Sequence, residues 1–256
     1  MKYIRNCIAY TQPLTHIKIL KNMKRHLVIL TFAFLTLNSC NNEVKKELTG
    51  NSFTIWKTDV NGNKIEKSEY KQFDEKGNLL KWIQFGNGNA LVDSFSYEYK
   101  DNLLIKKFRF TNGVLFSQTT FEYNENNMLK LETEFDRNNV FQSSSKHIYL
   151  ADNVKAIENY SNSNELYSID SLKYDNKGNL IEETQFLSDG YWFQHHTYEF
   201  DNNNNLIIQK SEANPEFDGV GIVEYKFEYN AENKKVKKTA NVPDTGLEYY
   251  YYEYDK

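Results

Sequence analysis

The phrase Tyr-Asp-x-x-Gly-Asn-Leu, spelled out at 174–180, returns in altered form along most of the chain. An aromatic residue precedes an acidic or Asn-rich turn at Phe73, Tyr99, Tyr123, Tyr149, Tyr174, Phe200, Tyr229 and Tyr254, at intervals of 26, 24, 26, 25, 26, 29 and 25 residues. A fixed period between about 20 and 50 residues marks a repeat architecture. A second series runs midway: Asn61-Gly62, Asn87-Gly88, Asn112-Gly113, Asn138-Asn139, Asn162 to Asn164, Asp189-Gly190, Asp218-Gly219 and Thr245-Gly246. Such pairs tolerate positive φ and mark tight hairpins. Each repeat therefore holds two turns and two short strands.

The strands alternate. Phe95, Tyr97 and Tyr99 point one way while Ser96 and Glu98 point the other, and Tyr225, Phe227 and Tyr229 repeat the pattern. The returning strands set an aliphatic residue six positions before an aromatic one, as in Leu79 and Phe85, Leu104 and Phe110, Leu129 and Phe135, Leu180 and Phe186. Six is even, so both members are expected on one face. A 3.6-residue period never persists, and Gly or Asn interrupts every dozen residues. The expected fold is all-β: a repetitive antiparallel meander of about sixteen short strands, as an extended or coiled sheet over residues 51–256. A lone hairpin is marginal in water, so neighbours must bury each other's rings, at about 1.5–3 kcal/mol per large side chain. In a meander the Asn-Gly turns line one edge and the Tyr-Asp turns the other.

Tyr174, Asp175, Gly178, Asn179 and Leu180, with the near match Phe73, Asp74, Gly77, Asn78 and Leu79, resemble the RHS/YD repeat family. The resemblance covers about residues 51–256, and several copies are degenerate, with Asn or Lys for Asp and Asn for Gly. It implies antiparallel sheets that coil into a shell. Full shells in that family need many more copies, and no toxin domain or self-cleaving module accompanies these.

The leader has a different character. Six of the 31 Lys and Arg residues fall in residues 1–39 with no Asp or Glu, leaving 25 basic against all 35 acidic residues, a balance of −10, for the remainder. A basic leader on an acidic body argues for export and against a nucleic-acid partner. Lys24 and Arg25 precede an apolar run, Leu27 to Leu37, which falls short of the roughly 20 residues that span a bilayer but suits a signal peptide. Leu37-Asn38-Ser39-Cys40 resembles a bacterial lipobox, with Asn38 an imperfect match. The resemblance implies cleavage before Cys40 and acylation there, giving a membrane partner through a lipid anchor. Asn41 lacks the Asp that by family analogy retains lipoproteins in the inner membrane, which points to the outer membrane and leaves its periplasmic or surface side open. The expected organisation is an upstream extension over 1–22 with the true start at Met23, a signal peptide over 23–39, a tether over 40–50 and the repeat domain over 51–256. Of the two cysteines, Cys7 and Cys40, only Cys40 survives such processing, so no internal disulfide forms.

Catalytic signatures are thin. His147, His195 and His196 follow the leader; the last two are adjacent on a strand and face opposite sides. There is no Gly-x-Ser-x-Gly, His-Glu-x-x-His or phosphate loop, so no catalytic residue, cofactor or metal is assigned and an enzyme is not expected. Asp201, Asn203, Asn205 and Glu212 have the spacing of a calcium loop, but Leu206 stands where that loop needs Gly. The candidate ligand contacts are aromatic: Trp56, Trp82, Trp192, Tyr250 and Tyr252, read as stacking surfaces for a glycan or a protein against the alternative of core packing. An insertion around Pro215 lengthens one repeat to 29 residues. The functional expectation is a non-enzymatic binding or scaffold lipoprotein, the alternative a partner in a toxin system.

Overall fold

The recurrent Asp is a turn cap. Asp175 Oδ1 accepts the backbone N–H of Lys177 and of Asn179, both at 2.8 Å, and Oδ2 accepts Asn179 Nδ2 at 2.9 Å. Asp74 does the same with Lys76 and Asn78, and Asp201 with Asn203 and Asn205. The position before the final Asn requires positive φ: Gly77 and Gly178 lie at +83°. In degenerate copies Asn127, Asn204 and Asn233 take that place at +58°, +69° and +58°, because Asn tolerates the left-handed region. Asn124 and Asn230 replace the capping Asp and still accept two backbone N–H groups each. The altered spellings are thus physically one turn.

The structure, a computed structural model, describes residues 52–150, 153–217, 221–243 and 245–255. The leader, Cys40, the tether and the Asp218-Gly219 turn lie outside the described residues. Sixteen strands follow: β1 (Ser52–Thr58), β2 (Lys64–Phe73), β3 (Leu79–Phe85), β4 (Leu91–Lys100), β5 (Leu103–Thr111), β6 (Val114–Tyr123), β7 (Leu129–Asp136), β8 (Phe141–Tyr149), β9 (Val154–Tyr160), β10 (Leu166–Tyr174), β11 (Leu180–Leu187), β12 (Trp192–Phe200), β13 (Leu206–Ala213), β14 (Ile222–Tyr229), β15 (Lys235–Val242) and β16 (Gly246–Tyr254). Each pairs antiparallel with its sequence neighbours, as expected of a meander. The first strand also pairs with the last, from Phe53↔Tyr254 to Thr58↔Tyr249, so the sheet closes into a barrel without edges.

Closure has a local cause. The register slips at the recurrent aromatic residue: Phe73 faces Leu79, Tyr99 faces Leu104, Tyr123 faces Leu129, Tyr174 faces Leu180 and Phe200 faces Leu206, each after a shift of one residue. A bulge bends and twists the strand that carries it, and repetition around the ring turns the ribbon into a cylinder. The same bulge corrects an expectation. Leu104 faces Tyr99 on the inside, but Arg109, which reaches Asp93 at 2.9 Å, shares that inner face, so Phe110 points outward. Likewise Leu180 packs with Ile157 and Leu172, and Gln185 reaches Asp170 at 2.9 Å from the same face, so Phe186 points outward. The extra residue between the pair inverts the parity that counting to six assumes.

The two rims differ. At the Tyr-Asp rim five of the recurrent tyrosines donate their hydroxyl to a main-chain carbonyl of the preceding repeat: Tyr99 to Leu79, Tyr123 to Leu104, Tyr149 to Leu129, Tyr229 to Leu206 and Tyr254 to Lys235, all at 2.9–3.0 Å. Buried Leu79, Leu104 and Leu180 pack beneath this ring of staples. Across the outer face run ion pairs, Lys146–Glu158, Lys173–Glu182, Lys210–Glu224 and Lys237–Glu228, at 3.0–3.8 Å.

Candidate binding recess and rim

Strand alternation sends one set of side chains into the lumen, where they meet partners on the neighbouring strands. In the sector formed by β7 to β12 those partners hydrogen-bond one another, with His147 Nδ1 left over. His147 Nε2 lies 2.8 Å from Glu132 Oε1, with the His147 side chain 2 % exposed. Asn159 Nδ2 donates to Ser168 Oγ and to Asp170 Oδ2, both at 3.0 Å, while Asn159 Oδ1 accepts Ser145 Oγ at 2.7 Å. Gln185 donates to Asp170, and Tyr198 donates to Glu183 at 3.1 Å. Burial pushes the Asp170 and Glu183 carboxyls up.

The opposite sector, from β14 through the seam to β4, is built differently. Trp82 Nε1 donates to Glu69 Oε2 at 2.9 Å, and its ring stacks on Phe95 with centroids 4.9 Å apart. Lys71 lies 3.0 Å from Glu69 and 4.9 Å from the Trp82 ring centre. Burial pushes the Glu69 carboxyl up, and the charges of Lys71 and, across β16 and β1, Lys238 outweigh it, so the group sits below its usual range. Burial, then Lys71 and Lys238, push Lys235 down to about 8. Tyr250 donates to Glu248 at 2.6 Å, and Tyr252 lies against Phe53 with centroids 5.7 Å apart. Burial raises both tyrosine hydroxyls far beyond their ordinary range.

Two recesses open at the Asn-Gly rim. One, of about 300 Å³, is lined by Glu69, Phe85, Tyr225, Lys238, Glu248 and Tyr250. The other, of about 740 Å³, lies among Asn112, Phe116, Glu134, Arg137 and Asn138. The same rim carries apolar side chains at its hairpin tips: Val60, Val114, Val140, Tyr191, Ile222 and Leu247 are each more than half exposed. The Tyr-Asp rim, where Ser52 begins the first strand and Tyr254 ends the last, is instead bound together around its circumference by the tyrosine staples.

Of the aromatic candidates, Trp82, Tyr250 and Tyr252 come together in the seam sector. Trp56 does not join them: it is on the outer face, its Nε1 donating to Glu253 at 2.8 Å and its ring under Lys64 at 4.6 Å. Trp192 faces Phe186 across β11 and β12, far around the ring. His195 and His196 face opposite sides as expected, bonded to Thr184 at 2.9 Å and Ser211 at 2.8 Å. The oxygens of Asp201 are taken by its own turn, and Glu212 sits away on β13. The lysines of the seam sector escaped sequence reading, although the run Lys234-Lys235-Val236-Lys237-Lys238 in a strand position was their signal.

No protein-family model matches the chain, and no curated protein does. Among solved structures, a porin-like protein from Bacteroides uniformis is similar at a TM-score of 0.52 and 11 % identity, over 80 % of this chain and 98 % of that one. A porin-like protein from Bacteroides vulgatus overlaps 80 % of this chain and 98 % of its own, at 12 % identity and a TM-score of 0.38. TcdB2-TccC3 without its hypervariable C-terminal region aligns with 77 % of this chain and 15 % of that chain, at 10 % identity and a TM-score of 0.33. The first likeness is one of fold alone; the lower scores of the other two add nothing to it.

Proposed function

We propose that this chain is a lipid-tethered, non-enzymatic binding barrel of the bacterial cell envelope, built from RHS/YD-type repeats, which offers its Asn-Gly rim to a glycan or protein ligand. The observation that carries this reading is the polarity of the cylinder. Both recesses and most of the exposed apolar tips lie at one rim, Leu150 being an exception, while the described chain begins at the other, where a tether from Cys40 would join it. A lipid on Cys40 then holds the stapled rim toward the membrane and turns the Asn-Gly rim away from it. The outer face favours a barrel that stands in water. A membrane-spanning barrel turns an apolar band outward, and a Lys at the bilayer midplane costs about 2–4 kcal/mol, whereas this outer face pairs lysines with glutamates along its strands.

Site-specific photo-crosslinking in intact cells tests the orientation. A crosslinker at Leu247 on the Asn-Gly rim is expected to capture an envelope component, and one at Lys76 on the stapled rim to capture only lipid or nothing. In the same cells Cys40→Ala is expected to move the protein out of the membrane fraction and to abolish incorporation of labelled palmitate. Equal capture from both rims, or palmitate still entering the mutant, would overturn the reading.

A further inference from the structure

The seam sector holds four inward lysines, Lys57, Lys71, Lys235 and Lys238, against the carboxylates Glu69 and Glu248, a further one, Asp93, being taken by Arg109 at 2.9 Å. Lys57 is engaged by Glu248 at 3.1 Å and Lys71 by Glu69 at 3.0 Å. That uses both acids in direct pairs. Among the described residues, Lys235 and Lys238 make no direct ion pair; their ammonium groups lie over ring faces, 4.2 Å from the centre of Phe227 and 4.1 Å from that of Tyr250. A partly desolvated ammonium with ring faces and a like-charged neighbour around it is under-compensated, since a buried charge is normally paired. A small anion supplies what the sector lacks.

The geometry says what else that anion carries. Lys238 is one wall of the 300 Å³ recess that opens at the Asn-Gly rim, and the rings of Tyr225 and Tyr250 are others. Tyr225 faces Ala240, and Ala240 faces Glu248 on the next strand, so a small side chain separates the two rings, and Lys238 Nζ stands between them, 4.1 Å from the centre of Tyr250 and 5.6 Å from that of Tyr225. Glu248 and Glu69 stand at the edge as acceptors for hydroxyl groups. An opening of about this size is at the lower end of small-molecule sites, enough for a single ring with its substituents and too small for a folded domain. Two aromatic faces, hydroxyl acceptors and an uncommitted ammonium together match a sugar acid.

We infer that this recess binds a carboxylate-bearing sugar, its carboxylate meeting Lys238 between the rings of Tyr225 and Tyr250 with Lys235 behind it, and its hydroxyls turned to Glu69 and Glu248. The inference rests on the reading of the Asn-Gly rim as the ligand face. It accounts for a cationic pocket inside a body whose overall balance after the leader is acidic: the charge is local and inward, so it selects for anions at the recess without attracting nucleic acid to the surface.

Calorimetric titration of the full chain with glucuronic acid, glucose and inorganic sulfate tests it. Glucuronic acid is expected to bind, with glucose and sulfate each weaker by about tenfold or more, the loss associated with one charge-assisted contact. Lys238→Gln is expected to weaken glucuronic acid binding about tenfold and leave the response to glucose unchanged. Lys235→Gln serves as a second variant should the first fail to fold by circular dichroism. Glucose binding as tightly as glucuronic acid, sulfate matching it, or no binding of glucuronic acid at all would each overturn the inference. Capture from Leu247 in the crosslinking experiment would in those cases still stand, separating failure of this assignment from failure of the rim reading.

Discussion

The two sectors of the lumen are made from the same repeat, yet one is filled along the middle of its strands by a hydrogen-bonded network and the other is not. Between β7 and β12 short polar side chains, Ser145, Asn159, Ser168 and Asp170, reach one another directly and form a network with few free valences. In the seam sector the corresponding inward positions carry long or aromatic side chains, among them Lys71, Trp82, Lys238 and Tyr250, which hold the wall apart and leave an opening. A repeat fixes where the chain turns and which residues point inward. It leaves the chemistry of the inward positions free, so one half of a cylinder can carry stability while the other keeps a site.

The largest effect should come from the filled sector. Asn159→Leu removes the group that joins Ser145, Ser168 and Asp170, leaving a carboxyl and two hydroxyls without their partner. It should cost about 3 kcal/mol in urea unfolding, whereas Lys238→Gln in the other sector should cost less than about 1 kcal/mol or stabilise. Equal losses would break the contrast. Next in size, Gly178→Val and Gly77→Val place a branched residue at φ of +83° in turns belonging to different sectors. Each should lose about 1–2 kcal/mol, and Gly178→Asn much less, since Asn occupies the equivalent place at Asn127 and Asn204. Unequal losses for the two valines would mean that the turns are not the shared frame.

The smallest effect is electrostatic. Lys235 sits at about 8 in the folded protein against an ordinary value of 10.5. Between those values the unfolded chain binds more protons than the folded one, so stability should rise as pH increases through that window. Lys238, also lowered by burial, adds to the rise. Buried Tyr250 and Tyr252, whose hydroxyls ionise later than in the unfolded chain, oppose it above about pH 10. The urea midpoint should therefore climb between about pH 8 and 10, and climb less in Lys235→Gln. A flat profile in both would remove the under-compensated charge on which the contrast between sectors depends.

Much of the frame was legible because turn chemistry is local. Asp175, Gly178 and Asn179 lie within five residues of one another, and their caps depend on nothing beyond the turn. The count of strands, their direction and the sorting of turns to two rims follow from that. The faces of Phe110 and Phe186 were misread because a bulge is a matter of pairing register, which a single strand does not display. Closure was open for a related reason: Phe53 and Tyr254 pair across nearly the whole described chain, and no local pattern announces that distance. The aromatic members of the recess, Trp82 and Tyr250, were visible as residue types. Glu69 and Lys238 were not, because they meet only once the first and last strands are joined.

That seam also constrains how the molecule is made and how it can vary. The sixteenth strand is the one that locks the first, so the cylinder cannot be completed until β16 has been made. Because each repeat contributes one hairpin, inserting or losing a repeat changes the circumference by a pair of strands and returns both chain ends to the same side. A lineage could therefore widen or narrow the bore in fixed steps without ever moving the barrel's two chain ends to opposite rims.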